Sequence, residues 1–299
     1  MIGRGFRRPR FSDRRFSDRG FTLVEIVMVI VITGIIGGMV AVFLKAPVRQ
    51  YMDVARRAEM TDIADTALRR VTRDLRLALP NSVRVRNAAG TACTGAQACY
   101  LEFIPTLGGG RYRDATDSLG AGNPLDFSVP DTSFDVLGQM PAAAAGDQIV
   151  VYNLGIPGAD AYAGNTTASH NRRAVTAVAG NIITIASANP LPFDSCVHDA
   201  GGFVVGACRF QVAQNPVSYV CDPVAGTLTR WQESSFQATQ PVALPAGQPV
   251  LANYVSACNF TYDAYVVAQR SGLVTMRLAI TRDGETVTLY NAAHVSNQP

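Results

Sequence analysis

The residues best placed to do chemistry lie near the start of the chain, in Gly20-Phe21-Thr22-Leu23-Val24-Glu25-Ile26. Glu25 is a lone carboxylate at the mouth of a long apolar run, and residues 26–44 after it carry no charge. A carboxylate at the centre of a spanning helix costs about 2.5–3.5 kcal/mol, and less near the interface. A plain anchor gains nothing from that cost. The chemistry that offsets it is an ion pair with a cation brought in from outside the segment.

Other reactive residues form weaker patterns. His170, His198 and His294 stand apart, and His170-Asn171-Arg172-Arg173 and His198-Asp199 read as structural or surface residues. Nucleophile elbow, phosphate loop and zinc-protease helix are all absent from the sequence. Asp160, Asp194, Asp199 and Asp222 lack the spacing of a calcium loop. Trp231, the single tryptophan, reads as core, and Gly108-Gly109-Gly110 as an isolated loop. The expectation is a chain that is no enzyme, with no catalytic residue, metal or cofactor.

The elements that must position Glu25 follow from periodicity and charge. The net charge of +3 conceals a division: residues 1–20 carry +5, residues 45–86 another +5 and residues 87–299 −6. An acidic head argues against a broad nucleic-acid surface, which needs clustered Lys and Arg. The basic stem suits either lipid phosphates and acidic neighbours or a solvated helical face. Residues 21–44 make a helix of about 36 Å, enough to cross a bilayer core of about 30 Å. The arginines before it put the N-terminus in the cytoplasm and the head in the periplasm. Lys45-Ala46-Pro47 offers no convincing signal-peptidase site.

From residue 48 to 79, Met60, Ile63, Ala64, Ala67, Leu68, Val71, Leu75 and Ala78 recur at helical spacing, and Pro80 ends the pattern. Gly34, Gly37 and Gly38 weaken this long helix and equally suit close helix packing within the membrane, and Pro47 predicts a kink. Beyond residue 83 short runs read as strands: 147–152, a hairpin over 173–178 and 182–185, 203–205, 210–212, 217–221, 227–231, and 273–280 joined to 285–290 through Asp283-Gly284. Residues 87–146 take no assignment, and no independent second domain is evident. The fold class is therefore α+β. A long N-terminal helix, transmembrane half plus amphipathic half, packs on an antiparallel β-sheet head. The divisions are 1–20 leader, 21–46 spanning helix, 47–80 stem and 81–299 head.

The basic leader, Gly20, aromatic Phe21, Thr22-Leu23-Val24, Glu25 and the apolar run resemble type IV prepilins and type II secretion pseudopilins. The resemblance implies cleavage between Gly20 and Phe21 by a prepilin peptidase/methyltransferase and N-methylation of Phe21. It implies that Glu25 partners the N-terminal amine of a neighbouring subunit, and that the helix melts locally near Gly34. The implied route is a single pass through the inner membrane, then the pilus at the cell surface, with major and other minor pilins as partners. Segments such as 73–84, 158–162, 251–262, 272–276 and 289–299 are similar to the larger minor pilins of the mannose-sensitive haemagglutinin (MSHA) pilus, subunits of pilus assembly and initiation at or near the tip. A J-type secretion pseudopilin, a pilin-anchored adhesin and an unprocessed bitopic protein are the other readings.

Cys93, Cys99, Cys196, Cys208, Cys221 and Cys258 all lie on the head side of the apolar run. An even count there reads as disulfides in an oxidising compartment. Six cysteines allow fifteen pairings, and pairing of sequence neighbours is the expectation. Zinc-finger spacing is absent.

Overall fold

The computed structural model describes residues 20–163, 170–186, 189–201, 204–206, 208–267 and 271–299, without the side chains of 265–267. Residues 1–19, most of the expected leader, lie outside them, as does Phe203 of the expected strand 203–205. The chain divides into two units, the first ending at Ala55 and the second running from Arg56 to Pro299. Helix α1 (Leu23–Leu75) contributes to both and is continuous through Gly34, Gly37, Gly38 and Pro47. Among the described residues it is the one helix long and apolar enough to cross a membrane.

In the second unit the stripe of α1 that the spacing predicts is buried: Met60, Ala64, Ala67, Leu68, Val71 and Leu75. The polar face carries ion pairs. Arg56 reaches Asp283 at 3.3 Å, Arg57 reaches Glu285 at 2.9 Å, and Arg282 reaches Glu59 at 3.2 Å. Such exposed pairs are worth about 0–1 kcal/mol each. Asp74 is better enclosed, accepting from Tyr219 Oη at 2.7 Å and Arg230 Nε at 2.9 Å.

The helix ends at Leu75, short of the residue 79 that periodicity predicts. Its last turn tightens through bonds from the Leu77 amide to the Asp74 carbonyl and from the Ala78 amide to the Leu75 carbonyl. The chain then leaves the helical path because a strand-like pairing competes for it. The Leu79 amide donates to the Ile104 carbonyl at 2.7 Å, and the Thr106 amide donates to Leu77 O at 2.8 Å.

The head contains fourteen strands among the described residues: β1 (Arg84–Asn87), β2 (Cys99–Phe103), β3 (Thr106–Tyr112), β4 (Ser133–Leu137), β5 (Gln148–Val150), β6 (Arg172–Ala179), β7 (Ile182–Ile185), β8 (Arg209–Ala213), β9 (Val217–Asp222), β10 (Thr227–Gln232), β11 (Val250–Asn253), β12 (Val255–Val267), β13 (Ser271–Arg282) and β14 (Glu285–Ser296). All their pairings are antiparallel. A five-stranded sheet has the order β1-β2-β9-β10-β11, and a three-stranded sheet the order β12-β13-β14. Both sheets share one apolar core with the buried stripe of α1, so the fold is α+β and pilin-like.

The remaining strands close a barrel, β3-β4-β7-β6-β5-β8, around a core of its own that includes Tyr112, Phe134, Ile149, Ile183 and Phe210. The barrel is an insertion: β2 and β9 are direct partners, Cys99 opposite Cys221, and residues 104–216 leave the sheet and return between them. Residues 87–146, which resisted assignment, supply β2, β3 and β4. Gly108-Gly109-Gly110 is a strand segment rather than the loop expected of it. A Cβ on Gly109 would stand 2.8 Å from the Phe210 carbonyl oxygen, and one on Gly110 2.7 Å from the Phe210 ring. Glycine here lets β3 close against β8.

Candidate functional site

The first site is built by the start of α1. Thr22 is its N-cap: Thr22 Oγ1 accepts from the Glu25 amide at 3.2 Å, and its carbonyl accepts from the Ile26 amide at 3.2 Å. Thr22-Leu23-Val24-Glu25 has the spacing of a capping box, with Glu25 at the third helical position. A carboxylate in the first turn also faces the positive end of the helix dipole, worth about 0.3–1 kcal/mol. Glu25 therefore has a local role that spacing against the apolar run alone did not reveal. Gly20 precedes the cap in open space, and Phe21 is 74 % exposed. The large apolar side chains that follow, Ile26 to Leu44, are exposed as well.

A second polar site lies on the face of the five-stranded sheet that points away from α1. Along β10, Leu228 enters the helix-side core and Arg230 meets Asp74. Alternation then turns Trp231 to the other face. It is half-buried there rather than in the core. Glu102, fully buried, takes a bidentate bond from Arg84, at 2.8 Å to Nε and 2.9 Å to Nη2. The Arg84 guanidinium stacks 3.6 Å from the centre of the Tyr162 ring. Glu233, 3 % exposed, accepts from Ser218 Oγ at 2.8 Å.

A strap of coil after Glu233 is fastened over this face. Arg84 donates to the carbonyls of Gln237 at 2.7 Å and Ala238 at 2.8 Å, Arg86 donates to the Gln240 carbonyl, and Gln240 Nε2 donates to Tyr100 O at 3.1 Å. Sequence reasoning missed this network, because the only local signal was an acid inside an otherwise apolar strand, Leu101-Glu102-Phe103.

Burial, and then the charge of Glu102, pushes the Glu233 carboxyl up to about 7 from 4.5. Burial likewise raises Glu102, against the opposing pull of Arg84. A raised carboxyl binds its proton more tightly in the folded chain than in the unfolded one. Stability from this group is thus fully present below about pH 4.5 and is lost as pH rises through about 7. We expect the loss to reach about 3 kcal/mol. Glu233→Gln, which keeps a neutral side chain of the same shape, should flatten the profile and raise the urea midpoint at pH 8. An unchanged profile in that variant would count against the assignment.

The remaining sequence candidates are dispersed. His170, Asn171, Arg172 and Arg173 are all buried. Arg172 bonds the carbonyls of Ala161 and Ala163, and Arg173 those of His170, Asn189 and Pro190. Their donors serve structure. Asp160, Asp199 and Asp222 each accept backbone amides of their own turns. Among the described residues, Asp194 alone of the four acids joins such a group: one carboxylate oxygen each of Asp194 and Asp114 and a ring nitrogen of His198 lie within 4.8 Å of one another, a donor set that suits a divalent cation. Asp194 Oδ1 already accepts from Tyr112 Oη and the Cys196 amide. His294 is on β14, opposite Leu273. The six cysteines form three disulfides between sequence neighbours, Cys93–Cys99, Cys196–Cys208 and Cys221–Cys258.

No curated protein and no solved structure matches this chain. Residues 15–41 match the family model described as the prokaryotic N-terminal methylation motif. That span takes in Gly20, Phe21, the capped start of α1 and Glu25, and this prepilin-type motif supports a type IV pilin or pseudopilin, processed by prepilin peptidase and assembled with other pilins.

Proposed function

We propose that the chain is an MshO-like minor pilin of a type IV pilus. Prepilin peptidase cuts between Gly20 and Phe21 and methylates the new amine of Phe21. Residues 21–46 then hold the product in the inner membrane, N-terminus cytoplasmic and head periplasmic, until it enters the filament. There Glu25 partners the terminal amine of a neighbouring subunit, and the large head sits at or near the tip, where the subunit takes part in initiating assembly.

One observation carries this reading: the methylation motif at residues 15–41 coincides with a capped helix start followed by exposed large apolar side chains. The inserted barrel supports the tip position, since an end of a filament accommodates a bulky head more easily than its packed wall. Cleavage on the leader side of the apolar run also keeps the anchor on the product and adds the cation that Glu25 needs.

Mass spectrometry of the protein from membranes and from sheared pili tests the proposal. The expected N-terminus is N-methylated Phe21, and Gly20→Arg should leave the leader attached. An intact Met1, or an unmethylated Phe21, in wild-type material would overturn processing. Absence from sheared pili would overturn the pilus assignment while leaving the motif intact.

A further inference from the structure

On β3 and β8 of the barrel two arginines, Arg111 and Arg209, stand directly opposite one another. Both are exposed on the outer face, because the residues beside them, Tyr112 and Phe210, turn into the barrel core. Like charges directly opposite in an antiparallel pair are destabilising. Other arginines of the head are engaged: Arg113 meets Asp135 at 3.1 Å, and Arg230 meets Asp74 at 2.9 Å. Among the described residues neither Arg111 nor Arg209 has a side-chain hydrogen bond, an ion pair or a ring contact. Two residues along the same face, Gly109 stands opposite Gln211. The missing side chain leaves the strand bare, and a Cβ there would stand 2.7 Å from Gln211 Oε1. A cleft of about 360 Å³ opens at this place, lined by the two arginines, Gly109, Gly110, Phe210 and Gln211. Its size falls within the range of about 300–1,000 Å³ common to small-molecule sites.

We propose that this cleft binds a phosphate monoester group. A guanidinium is a planar fork of donors that holds phosphate oxygens bidentately. A monoester carries about −1.5 to −2 charges at pH 7, enough to offset both arginines, where a carboxylate offsets one. Bound between them, it replaces a repulsion by charge-assisted hydrogen bonds, and the Gln211 amide adds a neutral donor beside it. Other ligand classes fit less well. A divalent cation is repelled by the pair. A nucleic-acid backbone needs a longer cationic track than two residues on a head of charge −6. The inference does not depend on how the N-terminus is processed or how the chain assembles.

Calorimetry on the full chain in a neutral detergent tests it. The probes are inorganic phosphate, dihexanoyl phosphatidic acid and dihexanoyl phosphatidylcholine, with sodium chloride at matched ionic strength as the control. We expect saturable binding of phosphate and of phosphatidic acid, and none of phosphatidylcholine or chloride. Tighter binding of phosphatidic acid than of phosphate would assign the group to a lipid headgroup, and equal binding to a free phosphate compound; either supports the site. Arg111→Gln and Arg209→Gln should each weaken binding about tenfold or more, at a melting temperature in chloride that does not fall. Arg111→Lys, which keeps the charge and loses the fork, should weaken it less than Arg111→Gln. Phosphate binding no stronger than that of chloride, phosphatidic acid binding no stronger than that of phosphatidylcholine, or binding of full strength in the Arg111→Gln/Arg209→Gln double variant would overturn the proposal.

Discussion

Glu25→Gln is expected to cut recovery of the chain in sheared filaments about a hundredfold while its level in the membrane stays the same. Two physical roles compete at this residue, and their magnitudes differ. As the third residue of a capped helix, Glu25 contributes about 0.3–1 kcal/mol through the dipole, and glutamine serves a capping box nearly as well. As the partner of a buried amine it matters far more. Removing one member of a buried ion pair costs about 3–5 kcal/mol, because the other charge stays desolvated and unpaired. At 1.4 kcal/mol per factor of ten, the first role predicts an almost silent glutamine variant and the second a loss of about a hundredfold or more. Glu25→Ala should behave like Glu25→Gln, and Glu25→Asp should recover part of the signal. Quantitative blotting of sheared pili against membranes reads the difference. Wild-type recovery with Gln and impaired recovery with Ala would assign Glu25 to capping and remove it from the proposed assembly contact.

The parts of this chain legible in its sequence are those fixed by near neighbours. Asp283 and Gly284 adopt φ of 52° and 82°, and this two-residue turn sets β13 against β14 in unbroken register from Arg282–Glu285 onward. Gly180 at φ 60° turns β6 into β7, in a ladder whose register shifts between Val175 and Ala177. The stripe from Met60 to Leu75 was visible because helical spacing and burial coincide there.

What stayed hidden depends on partners far along the chain. The barrel closes only where Gly109 and Gly110 face Gln211 and Phe210, across a hundred residues of sequence, and a run of three glycines gives no hint of a strand. The strap network was hidden for the same reason: Glu102, Ser218, Glu233 and the carbonyl of Gln240 meet from four separate segments. The N-cap is different: Thr22 and Glu25 are near neighbours, and the helix dipole at that cap partly offsets the cost of a carboxylate beside an apolar run.

Loss of the Cys221–Cys258 disulfide should destabilise the head more than loss of either other bridge. Cys221 is on β9 of the five-stranded sheet and Cys258 on β12 of the three-stranded sheet, both fully buried, so this bond joins the two sheets that share the core with α1. Its sequence separation is 37, against 6 for Cys93–Cys99 and 12 for Cys196–Cys208. Chain-entropy arguments then give about 4, 2 and 3 kcal/mol respectively. For a domain with about 5–15 kcal/mol of stability, the first is a large share. Urea unfolding of the paired alanine variants should rank the midpoints in that order, and a midpoint lower for Cys93→Ala/Cys99→Ala than for Cys221→Ala/Cys258→Ala would refute it. The single variant carries a further hazard. Cys221 stands directly opposite Cys99 in the β2–β9 register. In Cys258→Ala the freed Cys221 thiolate can attack the Cys93–Cys99 bond, forming Cys99–Cys221 and releasing Cys93 as a thiolate. Disulfide mapping should therefore find the Cys99–Cys221 bridge in Cys258→Ala and not in the double variant.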